Sequence, residues 1–172
     1  GKETLRVLAM RGAHVIAAAR NEEKASEACA QVGGETTPIA CELSEPASVR
    51  ACAARVTELE RPLSAIICNA GIMALPKLTL QRGYELQFFT NHIGHFILVT
   101  SLLDQLADDG RVVMVSSEAH RRAPHQGVQF DNIDGSTGYN PWAAYGQSKL
   151  ANLLFAKHLA TKLEGSGKTA NS

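Results

Sequence analysis

A tyrosine and a lysine four residues apart, Tyr145 and Lys149, carry the clearest chemical signal in this sequence. They lie in an apolar-periodic run, Ala143 to Leu163, which predicts a helix with both side chains on one face. A phenol ordinarily titrates near pH ~10 and exchanges protons poorly at neutrality. An ammonium held beside it favours the phenolate, at about 1.4 kcal/mol of differential interaction per pH unit. Three units need roughly 4 kcal/mol, which calls for a shielded site and more than one positive influence. Such a pair could do general acid/base work. Alone, it equally describes a half-exposed tyrosine and a solvated lysine on a surface helix, so the rest of the chain has to decide.

The elements that must position the pair read as follows. Gly1 to Met10 has Leu5, Leu8 and Ala9 at helical spacing, and Gly12 follows as a stop. His14 to Ala19 is a short continuous apolar run, the pattern of a strand buried on both faces. Asn21 is a good N-cap, with Glu22 and Glu23 in the first turn, for a helix to about Val32. Thr36 to Cys41 predicts a strand, Pro46 to about Leu59 a helix, and Leu63 to Cys68 another buried strand. Leu80 to Ala107 reads as largely helical and, from Asn91, apolar nearly all round, as in a core or a subunit interface. Gly110 breaks it. Arg111 to Ser116 predicts a fourth strand, and a long polar loop, Glu118 to Asn140, leads to the Tyr145 helix. Alternating strands and helices of these lengths predict a parallel, doubly wound α/β sheet, Rossmann-like, in a single dinucleotide-binding domain.

Composition excludes several classes. Seventeen basic residues balance seventeen acidic ones in 172, so no net field recruits nucleic acid or an anionic membrane. No apolar stretch reaches the ~20 residues a bilayer crossing needs. Cys29, Cys41, Cys52 and Cys68 have neither C-x-x-C spacing nor scaffold density, and read as small buried residues in a reducing, cytoplasmic setting. His92 and His95 lack carboxylate or thiol partners, so no metal site is expected.

In doubly wound sheets, ligands bind beyond the carboxyl ends of the strands. The unusual polar residues stand at those ends: Arg20, Glu42, Asn69-Ala70-Gly71, and Ser116-Ser117. Gly1, opening a helix, could be the last glycine of a dinucleotide fingerprint. The ribose-reading position about twenty residues on holds Ala19-Arg20-Asn21, with no acid. An arginine can pair with a 2′-phosphate, so the reading leans to NADP over NAD.

These motifs carry a resemblance. Cys68-Asn69-Ala70-Gly71, Asn91-His92-Ile93-Gly94, Val115-Ser116-Ser117 and Tyr145-x-x-x-Lys149, in this order and spacing, resemble the short-chain dehydrogenase/reductase family over the whole chain. SSEAHR (from Ser116), ELQF-x-TNHIGHF (from Glu85) and AYGQSKLAN (from Ala144) resemble its retinol-dehydrogenase-like branch, including the chloroplast-envelope, translocon-associated dehydrogenase and its bacterial relatives.

The resemblance implies hydride transfer between NADP(H) and a carbonyl or alcohol, with a lipophilic substrate suggested by the branch. It makes Tyr145 the general acid/base and Lys149 the group that favours its phenolate and binds the nicotinamide ribose. Ser117 would hold the substrate oxygen, and Asn91 would anchor a water linked to Lys149. Asn69, Ala70 and Gly71, with Glu42 and Leu43, would lie along the cofactor; Glu42 departs from the aspartate usual at its position. Phe130, Ile133, Tyr139 and Trp142 could line an apolar substrate pocket or simply anchor their loop. A homo-oligomer through the helix after Asn91 and the Tyr145 helix is implied too. A cofactor-sensing regulatory protein on the same fold is the alternative reading, though all four catalytic positions are filled.

The resemblance further implies a piece of a protein of roughly 280–320 residues, the upper range for one domain. The family's first, central strand would be missing, leaving unpaired strand edges and an exposed apolar gap. Such a piece is expected neither to bind cofactor tightly nor to fold cooperatively, and a targeting segment is left open.

Overall fold

The computed structural model describes all residues from Gly1 to Ser172. They form two compact units, Gly1–Arg61 and Pro62–Ser172.

In the first unit, α1 (Lys2–Met10) leads to β1 (Val15–Ala19), α2 (Glu22–Ala30) crosses to β2 (Thr36–Ala40), and α3 (Pro46–Thr57) follows. β1 and β2 pair in parallel from Val15–Thr36 to Ala19–Ala40. The start of α2 is set by the predicted cap: Asn21 Oδ1 accepts from Lys24 N at 2.9 Å. Pro46 opens α3, where its missing N–H costs nothing. The core holds Leu5, Ala9, Ala25, Ile39, Val49, Cys52 and Val56.

In the second unit, β3 (Leu63–Cys68), β6 (Leu106–Met114) and β7 (Thr169–Asn171) form a parallel sheet in the order β3-β6-β7. β4 (Leu80–Gln81) and β5 (Tyr84–Glu85) form a small antiparallel hairpin. It is followed by the short helix α4 (Leu86–Phe88), a wide π turn (Phe89–Ile93) and α5 (Gly94–Leu102). After β6, a 3-10 turn (Glu118–Arg122) and the loop lead to α6 (Pro141–Lys162). The parallel strands joined through helices are the doubly wound, Rossmann-like class expected from the sequence.

Three local expectations need correcting. Leu80 to Ala107 is not one helical stretch. Arg82 and Gly83 both take positive φ, 52° and 83°, and turn the chain into the β4–β5 hairpin. Helix ends at Leu102, and the next strand already begins at Leu106, so Gly110 lies within β6 rather than ending a helix. Between the pairs Leu63–Leu106 and Ala65–Arg111 the register shifts, and the extra residues bulge out. Nor are β1 and β3 buried on both faces. β1 pairs only with β2, and β3 only with β6. Ala18 is exposed in β1 and Ile67 in β3. A parallel strand is enclosed on both faces only where helices cover both, and Ala18 and Ile67 mark faces left open.

Gly110 is required by packing: a Cβ there would stand 2.8 Å from Ala107 O and 3.0 Å from Leu63 O. Both are backbone atoms, which cannot swing aside. Replacing Gly110 by Ala should destabilise the second unit by about 1–3 kcal/mol. The expected result is a lower denaturant midpoint in the whole protein; an unchanged midpoint would show that the bulge gives way freely.

Candidate active site

Five of the predicted site residues meet in one cleft of the second unit. Asn69, Gly71, Ser117, Tyr145 and Lys149 line a space of about 190 Å³ with Ile72, Met73, Val115 and Ser116. The loop after β3 gives one wall, the segment after β6 the floor, and α6 the other wall.

α6 is well fixed at its start. Pro141 occupies its first turn, and Asn140 Oδ1 accepts from Trp142 N and Ala143 N, both at 3.0 Å. The helix then presses directly on the 3-10 turn that begins after Ser117. At Gly146, beside Tyr145, a Cβ would lie 2.5 Å from Ala119 O and 2.9 Å from Ala123 N. Only glycine permits that approach, which brings the Ser117 segment against the Tyr145 helix.

Lys149 is 4% exposed, and its Nζ donates to Val115 O at 2.8 Å. Its Nζ stands 5.7 Å from the centre of the Tyr145 ring. Burial lowers the Lys149 pKa, since desolvation disfavours the ammonium. A lysine buried for structural reasons alone would be costly; this one has hydrogens left to serve a ligand in the cleft. Tyr145 is half-buried in the cleft wall.

Of the two serines, Ser116 has a structural partner: its Oγ donates to Lys149 O at 2.8 Å. Ser117 Oγ accepts from Ala119 N at 3.2 Å, which leaves its proton able to donate into the cleft. His120 Nδ1 lies 2.7 Å from Ser117 O and steadies the same turn.

Asn91 does not line the cleft; it is buried behind it in the π turn, where a wide turn re-aims a side chain. Its Oδ1 accepts from Ile72 N at 2.8 Å, and its Nδ2 donates to Ile72 O and to Ser148 Oγ, both at 2.9 Å. Gly71, just before, is closely approached: a Cβ would lie 3.0 Å from Asn91 Oδ1, a tight contact, and 3.7 Å from Lys149 Nζ. Ala70 is exposed on the same loop. Cys68, one residue before Asn69, is buried and its thiol is pushed up to about 12, so it stays protonated and unreactive.

The four candidates of the first unit are described within it. Gly1 caps α1 without a side-chain bond, and Arg20 is exposed just past β1. Leu43 is buried. Glu42 Oε1 accepts from Ser44 N at 3.1 Å and Ser44 Oγ at 2.8 Å, so one carboxylate oxygen already shapes its own loop.

Phe130, Ile133, Tyr139 and Trp142, read either as pocket lining or as loop anchors, do not line this cleft. Phe130 is 81% exposed, Tyr139 hydrogen-bonds Leu75 O, and Ile133 O accepts from Glu85 N at 3.0 Å. Trp142 lies under the Arg122 guanidinium, 4.9 Å from its ring centre, and edge-on to Tyr145. Ile133, Tyr139 and Trp142 anchor the loop and the head of α6, whereas the Phe130 side chain stands in solvent. Composition reveals side-chain type but not the direction in which a loop turns it. Conversely, Ile72, Ser148 and Gly146 had no role of their own in the sequence; of these, only the glycine beside Tyr145 offered a signal.

The cleft at the strand ends thus brings together a buried lysine beside a tyrosine, a serine hydroxyl and a glycine, in an α/β fold. The short chain dehydrogenase family matches residues 1–172. The chain is 41% identical over 180 residues to Retinol dehydrogenase 13 of Homo sapiens, covering 100% of this chain and 54% of that protein. It is 41% identical over 186 residues to Short-chain dehydrogenase TIC 32 B, chloroplastic, of Brassica napus, covering 100% and 58%. A crystal structure of a putative uncharacterized protein from Mycobacterium Paratuberculosis superposes with a TM-score of 0.88 at 40% identity, over 99% of this chain and 61% of that one. This chain belongs to the short-chain dehydrogenase family of oxidoreductases, which use nicotinamide cofactors. It spans a little over half the length of these curated relatives. No helix is long and apolar enough to cross a membrane.

Behind the site, burial pushes the His95 pKa down to about 4, with Lys149 and His92 adding repulsion and the bond to Asn91 O at 2.8 Å opposing it. The unfolded chain takes up this proton near pH ~6.5, the folded one only near 4. Stability is therefore full above pH ~6.5 and falls as pH drops through about 4, by up to about 3 kcal/mol. His92, also lowered by burial, adds in the same direction. The whole protein should lose denaturant resistance across this window, and less so in His95→Gln; identical pH profiles would contradict the buried neutral imidazole.

Proposed function

We propose that the whole protein is an NADP-dependent oxidoreductase that interconverts a carbonyl and an alcohol. The observation that supports it most is the buried Lys149 ammonium, held by Val115 O beside Tyr145 in the cleft that also contains Ser117. A nicotinamide cofactor supplies or accepts the hydride. Tyr145 donates the proton to the carbonyl oxygen during reduction and takes it back during oxidation. Lys149 stabilises the phenolate left behind and holds a ribose hydroxyl through its remaining hydrogens. Ser117 donates to the substrate oxygen, fixing it near Tyr145 and favouring developing negative charge. Asn91 acts by position, holding the loop after β3 and the Tyr145 helix at once and serving the proton path from Lys149 to solvent.

The donor set suits a nicotinamide cofactor: Gly71 lines the cleft without a side chain, next to Lys149. Asn69 and Ala70 continue that surface. In this reading Arg20 would pair with a 2′-phosphate, Gly1, Glu42 and Leu43 would serve the adenosine half, and the chain would act as one dinucleotide-binding domain. The retinol dehydrogenases among the relatives favour a lipophilic substrate. Phe96 and Leu154, large apolar side chains exposed on α5 and α6, favour association with a second copy.

In the whole protein, Tyr145→Phe should lower kcat about 10²–10⁴-fold while NADPH affinity is kept. A cofactor sensor, the alternative on this fold, would keep its partner response in that variant. Arg20→Ala should weaken NADPH about tenfold or more with little effect on NADH, since a charge-assisted bond to the 2′-phosphate is lost. Equal losses for both cofactors would reverse the NADP assignment.

A further inference from the structure

The segment that follows Gly71 along the cleft is strained and fastened at both ends. Ala74 has φ of 50°, in the left-handed region that a residue with a Cβ rarely adopts. Such a conformation persists only where its surroundings over-determine it, and it tends to mark a functional contact. Here the surroundings are explicit. On one side the Asn91 carboxamide clasps both N and O of Ile72, at 2.8 and 2.9 Å. On the other, Tyr139 OH donates to Leu75 O at 2.7 Å.

The Tyr139 tether is itself secured. Its oxygen accepts from Gln87 Nε2 at 3.0 Å, and the fully buried Gln87 amide also reaches Glu85 Oε1 at 3.1 Å and Pro141 O at 3.3 Å. Burial and, secondarily, the Glu85 charge raise the Tyr139 pKa, so it remains a donor at neutral pH. Between the two tethers stands Met73, which is 57% exposed and lines the cleft. Its cleft neighbours on the chemical side, Asn69, Ser116, Ser117, Tyr145 and Lys149, are all polar. A flexible, polarisable thioether displayed there is suited to the apolar part of a substrate.

We propose that Met73 is a specificity-determining residue, presented to elongated apolar carbonyl substrates by the strap Ile72–Leu75, with Tyr139 as its positioning residue. This rests on the carbonyl–alcohol reading of the site. Met73 meets the chain of the substrate beyond the reacting carbon. Tyr139 keeps Ala74 in its strained conformation and so keeps Met73 over the cleft.

The test uses the whole protein with NADPH and two probes, propanal and decanal. In Met73→Ala the KM for decanal should rise about tenfold relative to that for propanal, the scale expected for lost apolar contacts. In Tyr139→Phe the same ratio should move in the same direction, with the effect on KM rather than kcat. Ala74→Gly, which takes positive φ without strain, should keep the wild-type ratio. Equal ratios in wild type and Met73→Ala would overturn the assignment while leaving the activity intact. If neither aldehyde is turned over, the activity reading fails, and calorimetry with unreactive decanamide in saturating NADP decides the strap: weaker binding to Met73→Ala supports it, and equal affinity overturns it.

Discussion

The Asn91 carboxamide is the fastening on which the site depends. It is fully buried and must satisfy its hydrogen bonds inside the protein, because an unpaired buried amide costs about 1–3 kcal/mol. It does so by joining segments far apart in sequence: Ile72 after β3 and Ser148 on α6, from its own place in the π turn. Ser148 in turn donates to Tyr145 O at 2.7 Å. One side chain thereby sets the distance between the loop wall of the cleft and the helix that carries Tyr145 and Lys149. Gly71 and Gly146 make the same arrangement possible by leaving no side chain where backbone and functional groups approach.

The chemistry follows from what this frame does to Lys149. Burial works against its charge, yet Val115 O and the nearby Tyr145 ring give the ammonium a place to remain. Ser116 reinforces the arrangement by bonding Lys149 O, which ties the end of β6 to the middle of α6. Neutral His95 avoids adding a second positive charge behind the site. The result is one cation held beside one phenol, with one hydroxyl across the cleft.

Much of this was legible in the sequence because it rests on local rules. The Asn21 cap, Pro46 at a helix start, the Leu63–Cys68 strand and the four-residue spacing of Tyr145 and Lys149 each follow from neighbouring residues alone. The gathering of Asn69, Gly71 and Ser117 followed from the strand-end rule for doubly wound sheets. What stayed hidden depends on distant partners. The β4–β5 hairpin turns on positive φ at Arg82, a residue type that does not announce it. The exposure of Phe130 and the use of Tyr139 as a tether are set by loop geometry, not by residue type. The widened turn at Asn91 shows in the sequence only as an apolar helical pattern.

The central claim is that this cleft moves a hydride to carbon while Tyr145 handles the proton, and isotope transfer reads the first of these without ambiguity. The whole protein would be given decanal and NADPH deuterated at the reactive C4 position, and the product analysed by mass spectrometry. The expected product is decanol carrying one deuterium at C1. Cofactor oxidation that leaves no deuterium in the alcohol, or no reduction of the aldehyde, would contradict it.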